Sequence, residues 1–260
     1  MAEAENIIDV IDLTVGYDGI RLMENLNFSV SRGEIFGILG GSGSGKSTLL
    51  KHLIGLYRPF SGDIRIFGES MVNAGERAKR DLRRKFGVSY QNGALFGSMT
   101  LLENVAMPLE EHTDLSREEI KEIALEKLRS VGLEKFADYL PAEISGGMMK
   151  RAGLARALAL NPELLFFDEP SAGLDPLMSA DLDRLILSLR DSTGTTIVLV
   201  THELESIFSI IDRVIILDRE SRGIIDSGDP RLLRTGSEHK WVRDFLSRDG
   251  MTLAASSVRR

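Results

Sequence analysis

Apolar and polar positions alternate near the start of the chain. Ile8, Val10, Leu13 and Val15 alternate only partly with their neighbours, and Leu26, Phe28 and Val30 do so more cleanly across residues 25–31. A period of two marks a half-buried strand. The two stretches are expected to pair as a small antiparallel sheet, with Tyr17-Asp18-Gly19 in the turn region. The run Glu34-Ile35-Phe36-Gly37-Ile38-Leu39 reads as a short buried strand, and Leu49, Leu50, Leu53 and Ile54 fall on one side of a helix. Arg58-Pro59-Phe60-Ser61-Gly62 breaks the chain. Ile64, Ile66 and Phe67 predict a further strand ended by Gly68, and the charged residues 75–85 predict an exposed helix. Phe86-Gly87-Val88-Ser89-Tyr90 reads as a strand that ends at Gln91.

From about Thr100 to Pro162 the period lengthens to that of a helix. Ile120, Ile123, Ala124, Leu128 and Val131 form one apolar face, and Gly132 stops that helix. Short apolar runs return at Leu164-Leu165-Phe166-Phe167, at residues 196–200 and at residues 213–217, with Leu177, Leu185, Ile186 and Leu189 marking a helix between the first two. Strands separated by helices predict a parallel sheet covered on both faces, with a helical lobe inserted. The expected boundaries are 1–99 and 163–228 for the two parts of an α/β core, 100–162 for the lobe and 229–260 for a C-terminal extension. Asp229 as N-cap and Pro230 open that extension. Trp241, Val242, Phe245 and Leu246 follow at helical spacing, able to pack on the chain's own core or on a partner, and Met251–Arg260 are expected to be loose.

Composition narrows the classes. With 43% hydrophobic and 27% charged residues the chain is ordinary globular protein, and with no cysteine it has no disulfide or thiolate chemistry. A net charge of -7 argues against nucleic acid as a partner. No apolar run is long enough to span a membrane, and the acidic start lacks the plan of a signal peptide, so a cytoplasmic location is expected.

The chemistry starts at Gly40-Gly41-Ser42-Gly43-Ser44-Gly45-Lys46-Ser47, which fits the phosphate-binding loop and has the strand before it and the helix after it that the motif needs. The glycines let backbone N–H groups approach a polyphosphate, and the helix adds its positive end. Lys46 would reach the β- and γ-phosphates and Ser47 would hold Mg²⁺, with Thr48 next in the helix. The plain alternative is a glycine turn that binds nothing. Asp168 and Glu169 end an apolar strand, where open α/β sheets bind ligands. Asp168 suits Mg²⁺ and Glu169 a general base for water, although two carboxylates could merely cap the strand. His202 and Gln91 end strands of their own, His202 as a γ-phosphate donor and Gln91 as a ligand for water or Mg²⁺, and either would be unremarkable alone. Tyr17 could stack on a base or be only a turn residue.

Ile144-Ser145-Gly146-Gly147-Met148 is a second anion-type feature. Ser145 can cap a helix running to about Leu160, and the glycines expose N–H groups. That helix would be roughly 20 Å long. With Asp168 near its far end, its anion-binding end suits the nucleotide of a second chain better than its own. An ordinary capped helix would explain the serine but not the paired glycines.

Gly40–Ser47, Gln91, Ser145-Gly146-Gly147, Asp168-Glu169, Ser171-Ala172-Gly173-Leu174-Asp175 and His202 stand in the order of an ABC transporter ATPase, and resemble its Walker A, Q-loop, signature, Walker B, D-loop and H-loop. The resemblance covers nearly the whole chain. It implies the P-loop ATPase fold of that family: a parallel core sheet, an antiparallel β subdomain and an inserted helical subdomain. It implies ATP and Mg²⁺ as cofactors, adenine stacking on Tyr17, and a homodimer with each ATP between one Walker A and the other chain's signature. The signature is usually followed by glutamine, and here by Met148. Residues 145–157, 91–96 and 103–109 into 111–113 resemble the Mla and Mce-type lipid-transport ATPases. That branch implies phospholipid movement between inner and outer membranes, maintaining outer-membrane lipid asymmetry. Its implied partners are an MlaE-like permease, an MlaD-like MCE-domain protein and, often, an MlaB-like STAS-domain protein, with the ATPase on the cytoplasmic face of the inner membrane. Leu95 and Phe96 would either fold inward or dock the permease's cytoplasmic helix. Alternatives are an ABC ATPase for another substrate, an SMC or Rad50-type DNA-handling ATPase, which would need a long coiled coil before the signature, and a small P-loop kinase, which would need no signature.

Overall fold

The structure, a computed structural model, describes residues 5–247; the expected loose tail lies outside them. Its contacts divide the chain into two compact units, Met1–Val72 with Leu199–Arg260, and Asn73–Val198.

The first unit opens with β1 (Asn6–Tyr17) and β2 (Ile20–Ser31), paired antiparallel. Asp18 (φ 50°) and Gly19 (φ 78°) form the turn. Left-handed backbone at both central residues is what a two-residue hairpin needs to match the twist of its strands. The imperfect alternation in β1 has a cause: Asp12 sits at φ 45° in a bulge, and Asn27 takes its N–H at 2.9 Å and donates to its carboxylate at 3.0 Å. Leu13 thereby returns to the core after Ile11 and Asp12 have pointed outward.

β3 (Ile35–Gly40) is buried along its length and leads into α1 (Lys46–Leu53). β4 (Ser61–Ile66) and β5 (Glu69–Ser70) complete a four-stranded sheet of order β2-β1-β4-β5. Phe67 was expected in the strand; it lies in the turn instead, at φ 53° beside Gly68 at φ 77°.

The second unit begins with α2 (Glu76–Arg83), exposed but for a few positions such as buried Leu82, and β6 (Phe86–Ser89). α3 (Leu101–His112) and α4 (Arg117–Ser130) each start from a capping box, Thr100 with Glu103 and Ser116 with Glu119. α5 (Gly146–Ala157) ends three residues before the expected Leu160. α3, α4 and α5 pack on one another, burying Ile120, Ala124 and Leu128 of α4. β7 (Leu164–Asp168) runs parallel to β6. α6 (Pro176–Thr193) buries Leu182 and Ile186, whereas Leu177, expected on its apolar face, is 78% exposed. β8 (Thr196–Val200) follows.

The chain returns to the first unit with α7 (Leu204–Ile210), β9 (Arg213–Asp218) and β10 (Gly223–Gly228). β9 runs parallel to β3 and antiparallel to β10. β10 was not expected, since only Ile224 and Ile225 in it are apolar. Within the first unit β10, β9 and β3 therefore lie side by side. Arg213 fastens this unit: it pairs with Glu34 at 2.7 Å, donates to the carbonyl of Ser29 at 2.7 Å and lies over the Phe36 ring, itself stacked on Phe28. The N–H of Glu24, also on β2, donates to the carbonyl of Arg222 at 2.9 Å.

α8 (Pro230–Gly236) starts from the expected Asp229 cap, and α9 (Lys240–Leu246) buries Val242 and Leu246 on the chain's own unit while Trp241 stays 41% exposed. No helix among the described residues is long and apolar enough to cross a membrane.

Candidate functional site

The phosphate loop joins β3 to α1 in the first unit. Gly40, Gly43 and Gly45 have φ of 150°, 73° and 93°, conformations closed to ordinary side chains. Gly45 is also the N-cap of α1, which has no side-chain cap. Lys46 is buried, and its Nζ donates to the carbonyls of Gly40 at 2.9 Å and Gly41 at 3.0 Å. The hydroxyl of Ser44 is buried with no hydrogen-bond partner among the described residues. A buried polar atom left so costs about 1–3 kcal/mol. An orphaned donor, a lysine and a left-handed glycine backbone make one donor set of the kind a polyphosphate takes. Ser47 and Thr48 lie in the first turn of α1. Behind the loop, His52 Nδ1 donates to the carbonyl of Thr48 at 2.8 Å, its Nε2 has no partner among the described residues, and burial holds its pKa below the usual value.

Tyr17 and His202 belong to the same unit. Tyr17 ends β1 and is 47% exposed; His202 follows β8, exposed, with Nε2 3.9 Å from Glu203.

The second unit holds the remaining candidates. Asp168 ends β7, and Glu169 follows at φ 51°, a strained conformation for a residue with a side chain. Such strain gathers where a side chain must be aimed. Gln91 is exposed, one residue after Tyr90, whose pKa is raised by burial and then by the nearby Asp168 charge, with Arg156 acting the other way. The segment after Gln91 lies directly on α5. Arg156 donates to the carbonyls of Gly93 and Ala94, and a Cβ on Gly153 would stand 2.8 Å from the Cα of Gly93, so only glycine allows the approach. Burial pulls the Arg156 pKa down and Tyr90 raises it.

Ser145 caps α5, accepting from the N–H of Met148 at 3.3 Å. The paired glycines differ. Gly146 is exposed with no atom of the described residues within 4 Å of a would-be Cβ, whereas Gly147 is buried and a Cβ there would meet Met178 at 2.9 Å. Packing therefore accounts for part of the Gly147 requirement, and the exposed anion-type position is Gly146. Lys150 ties α5 to the loop 171–175 by donating to Ala172, and Asp175 caps α6.

The ABC transporter family pattern matches residues 23–172, more than half of the chain. The chain belongs to the ABC transporter family. The match takes in the phosphate loop, Gln91, the signature, Asp168 and Glu169, and leaves out Tyr17 and His202. Among similar sequences, the probable ribonucleotide transport ATP-binding protein mkl of Mycobacterium tuberculosis (strain H37Rv) is 42% identical over 92% of this chain and 66% of its own length. The chain thus spans just under two thirds of that relative. The intermembrane phospholipid transport system ATP-binding protein MlaF of Escherichia coli K12 is 37% identical over 93% of this chain and 88% of its own.

Solved ABC cassettes share the fold. One, dimeric and bound to ADP and Pi in a post-hydrolysis state, has 30% identity and a TM-score of 0.76 over 85% of this chain and 98% of its own. Another, cbiO1 of Clostridium perfringens, has 27% identity and a TM-score of 0.79 over 98% and 96%.

Arg156, Asn104 and Tyr90 were missed as neighbours of the candidate residues. Asn104, fully buried, accepts from the N–H of Phe96 and donates to the carbonyls of Phe96, Met99 and Thr100, so it shapes the segment after Gln91. A polar residue inside an apolar helical face was the one signal available in the sequence.

Proposed function

We propose that two copies of this ABC ATPase close around two ATP molecules and drive phospholipid movement between the inner and outer membranes. The ATP chemistry rests on the phosphate loop, with its orphaned Ser44 hydroxyl and its left-handed glycines. The phospholipid reading rests on the likeness to MlaF, which extends over 88% of that protein.

In this reading the loop N–H groups and Lys46 bind the phosphates, and Tyr17 offers its exposed ring to adenine. Ser145, Gly146 and Gly147 of the second copy approach the γ-phosphate. Mg²⁺ suits the oxygen donors Ser47, Asp168 and Gln91 and would neutralise charge on the phosphates. Glu169 orients and deprotonates the attacking water, and His202 donates to the γ-phosphate. An MlaE-like permease, an MlaD-like MCE-domain protein and an MlaB-like STAS-domain protein are the proposed partners, and the permease holds the ATPase at the cytoplasmic face of the inner membrane. Phe96 supports a docking role, since it is 47% exposed and not folded inward.

A second reading, ribonucleotide transport, comes from the printed name of mkl, of which this chain spans only 66%. Purifying the native complex and identifying its subunits and bound small molecules by mass spectrometry separates the two. Phospholipid and an MCE-domain subunit support the first reading; bound ribonucleotide other than ATP or ADP supports the second.

A further inference from the structure

The C-terminal extension meets the phosphate loop. Trp241, the chain's single tryptophan, lies on α9, and a Cβ built on Gly41 would stand 3.5 Å from its Cζ2. Chain neighbours aside, that indole carbon is the sole heavy atom of the described residues within 4 Å of the position. The indole therefore flanks the loop at its second residue. It is held there by more than chance packing. Its ring stacks on Phe245 with centroids 5.1 Å apart and planes at 14°, and Val242 and Leu246 anchor the same helix in the core. Arg243 donates to the carbonyl of Ser237 and the Ser237 hydroxyl donates to Asp226, fixing the start of α9 to β10.

A loop with glycine at Gly40, Gly41, Gly43 and Gly45 has much freedom to lose when it closes on a phosphate chain. A rigid aromatic wall at Gly41 reduces that loss, because part of the ordering is done before the nucleotide arrives. We infer that Trp241 is a positioning residue for nucleotide binding: α9 backs the phosphate loop, and loop closure on a nucleotide and docking of α9 favour each other. Coupling of this kind is reciprocal. Whatever lifts α9 away lowers nucleotide affinity, and bound nucleotide holds α9 down. The inference takes from the functional reading only that this loop holds ATP.

The test uses the full chain. With a single tryptophan, intrinsic emission reports this position alone. Titration with MgADP should change Trp241 emission, with a midpoint equal to the dissociation constant from calorimetry. Trp241→Ala should raise the KM for MgATP about three- to tenfold with kcat within about twofold, and Trp241→Phe should recover most of the loss. A merely structural anchor would lower the melting temperature and active fraction without moving KM. An emission that ignores saturating MgADP while calorimetry records binding overturns the inference and leaves the ATP reading intact. So does an unchanged KM in folded Trp241→Ala. No calorimetric binding at all would instead strike the ATP reading itself. Should Trp241→Ala fail to fold, the emission titration of the unaltered chain decides.

Discussion

Nη2 of Arg156 donates to the carbonyl oxygen of Gly93 at 2.9 Å, and Nη1 to that of Ala94 at 2.8 Å. One side chain on the signature helix thus holds the segment that follows Gln91. Arg156→Ala would leave two carbonyls to find other donors, at a cost of about 1–3 kcal/mol. Amide exchange in residues 91–97 should quicken while the protection of α5 is kept. Unaltered exchange in that segment would show that the Gly93–Gly153 contact alone holds it.

Glu169→Gln removes the proposed general base and nearly keeps its size. ATP binding should persist and hydrolysis should slow about 10²- to 10⁴-fold. Steady-state ATPase assayed beside nucleotide binding checks this; near-normal turnover would take Glu169 out of the role.

Gly146→Asp should have opposite effects on stability and activity. The position is exposed and a Cβ there meets no atom of the described residues within 4 Å. A carboxylate in the first turn of α5 favours the helix, so the melting temperature should hold or rise slightly. Hydrolysis should be lost, because the negative charge stands where the partner's γ-phosphate is proposed to sit. A variant with normal ATPase would remove the signature from the shared site.

Phe96→Asp should leave the isolated chain folded, since the ring is 47% exposed, and should block assembly with the proposed permease by placing an unpaired carboxylate at the proposed contact. Pull-down with thermal melting as control reads both. Full assembly would move the docking site elsewhere, and a large fall in melting temperature would assign Phe96 a packing role.

His52 makes stability depend on pH. Its folded pKa is lowered by burial, the hydrogen bond to Thr48 opposing in part. Above about pH 6.5 both folded and unfolded chains carry it neutral, and it adds no pH dependence. Below that, the unfolded chain takes up a proton that the native state resists, so stability is lost as pH falls toward the folded pKa. Melting temperatures between pH 5 and 7.5 should fall less steeply for His52→Gln than for the unaltered chain. Parallel curves would mean that other groups set the acid limb.

Local chemistry was legible and long-range contact was not. The phosphate loop, the Ser145 and Asp229 caps and the strand of Asp168 are written within a few residues of one another, so motif and periodicity reach them. Phe67 reads as a strand residue because its apolar neighbours outvote it; the turn is forced only by β4 pairing back on β5. β10 carries too few apolar residues to show a period, and it exists because β9 supplies its ladder. Arg156 and Trp241 find their partners 63 and 200 positions away, a distance over which neither spacing nor propensity carries information.

β2 is the outer strand of its sheet, twelve residues long, the sort of border another chain could extend by pairing. Arg213 occupies the carbonyl of Ser29, and the carbonyl of Arg222 takes the N–H of Glu24. The border is thus partly closed by the chain's own β9 and the turn that follows it. A newly made chain is thereby shielded from chance pairing along that strand, and removing the Arg213 side chain would open it to self-adhesion.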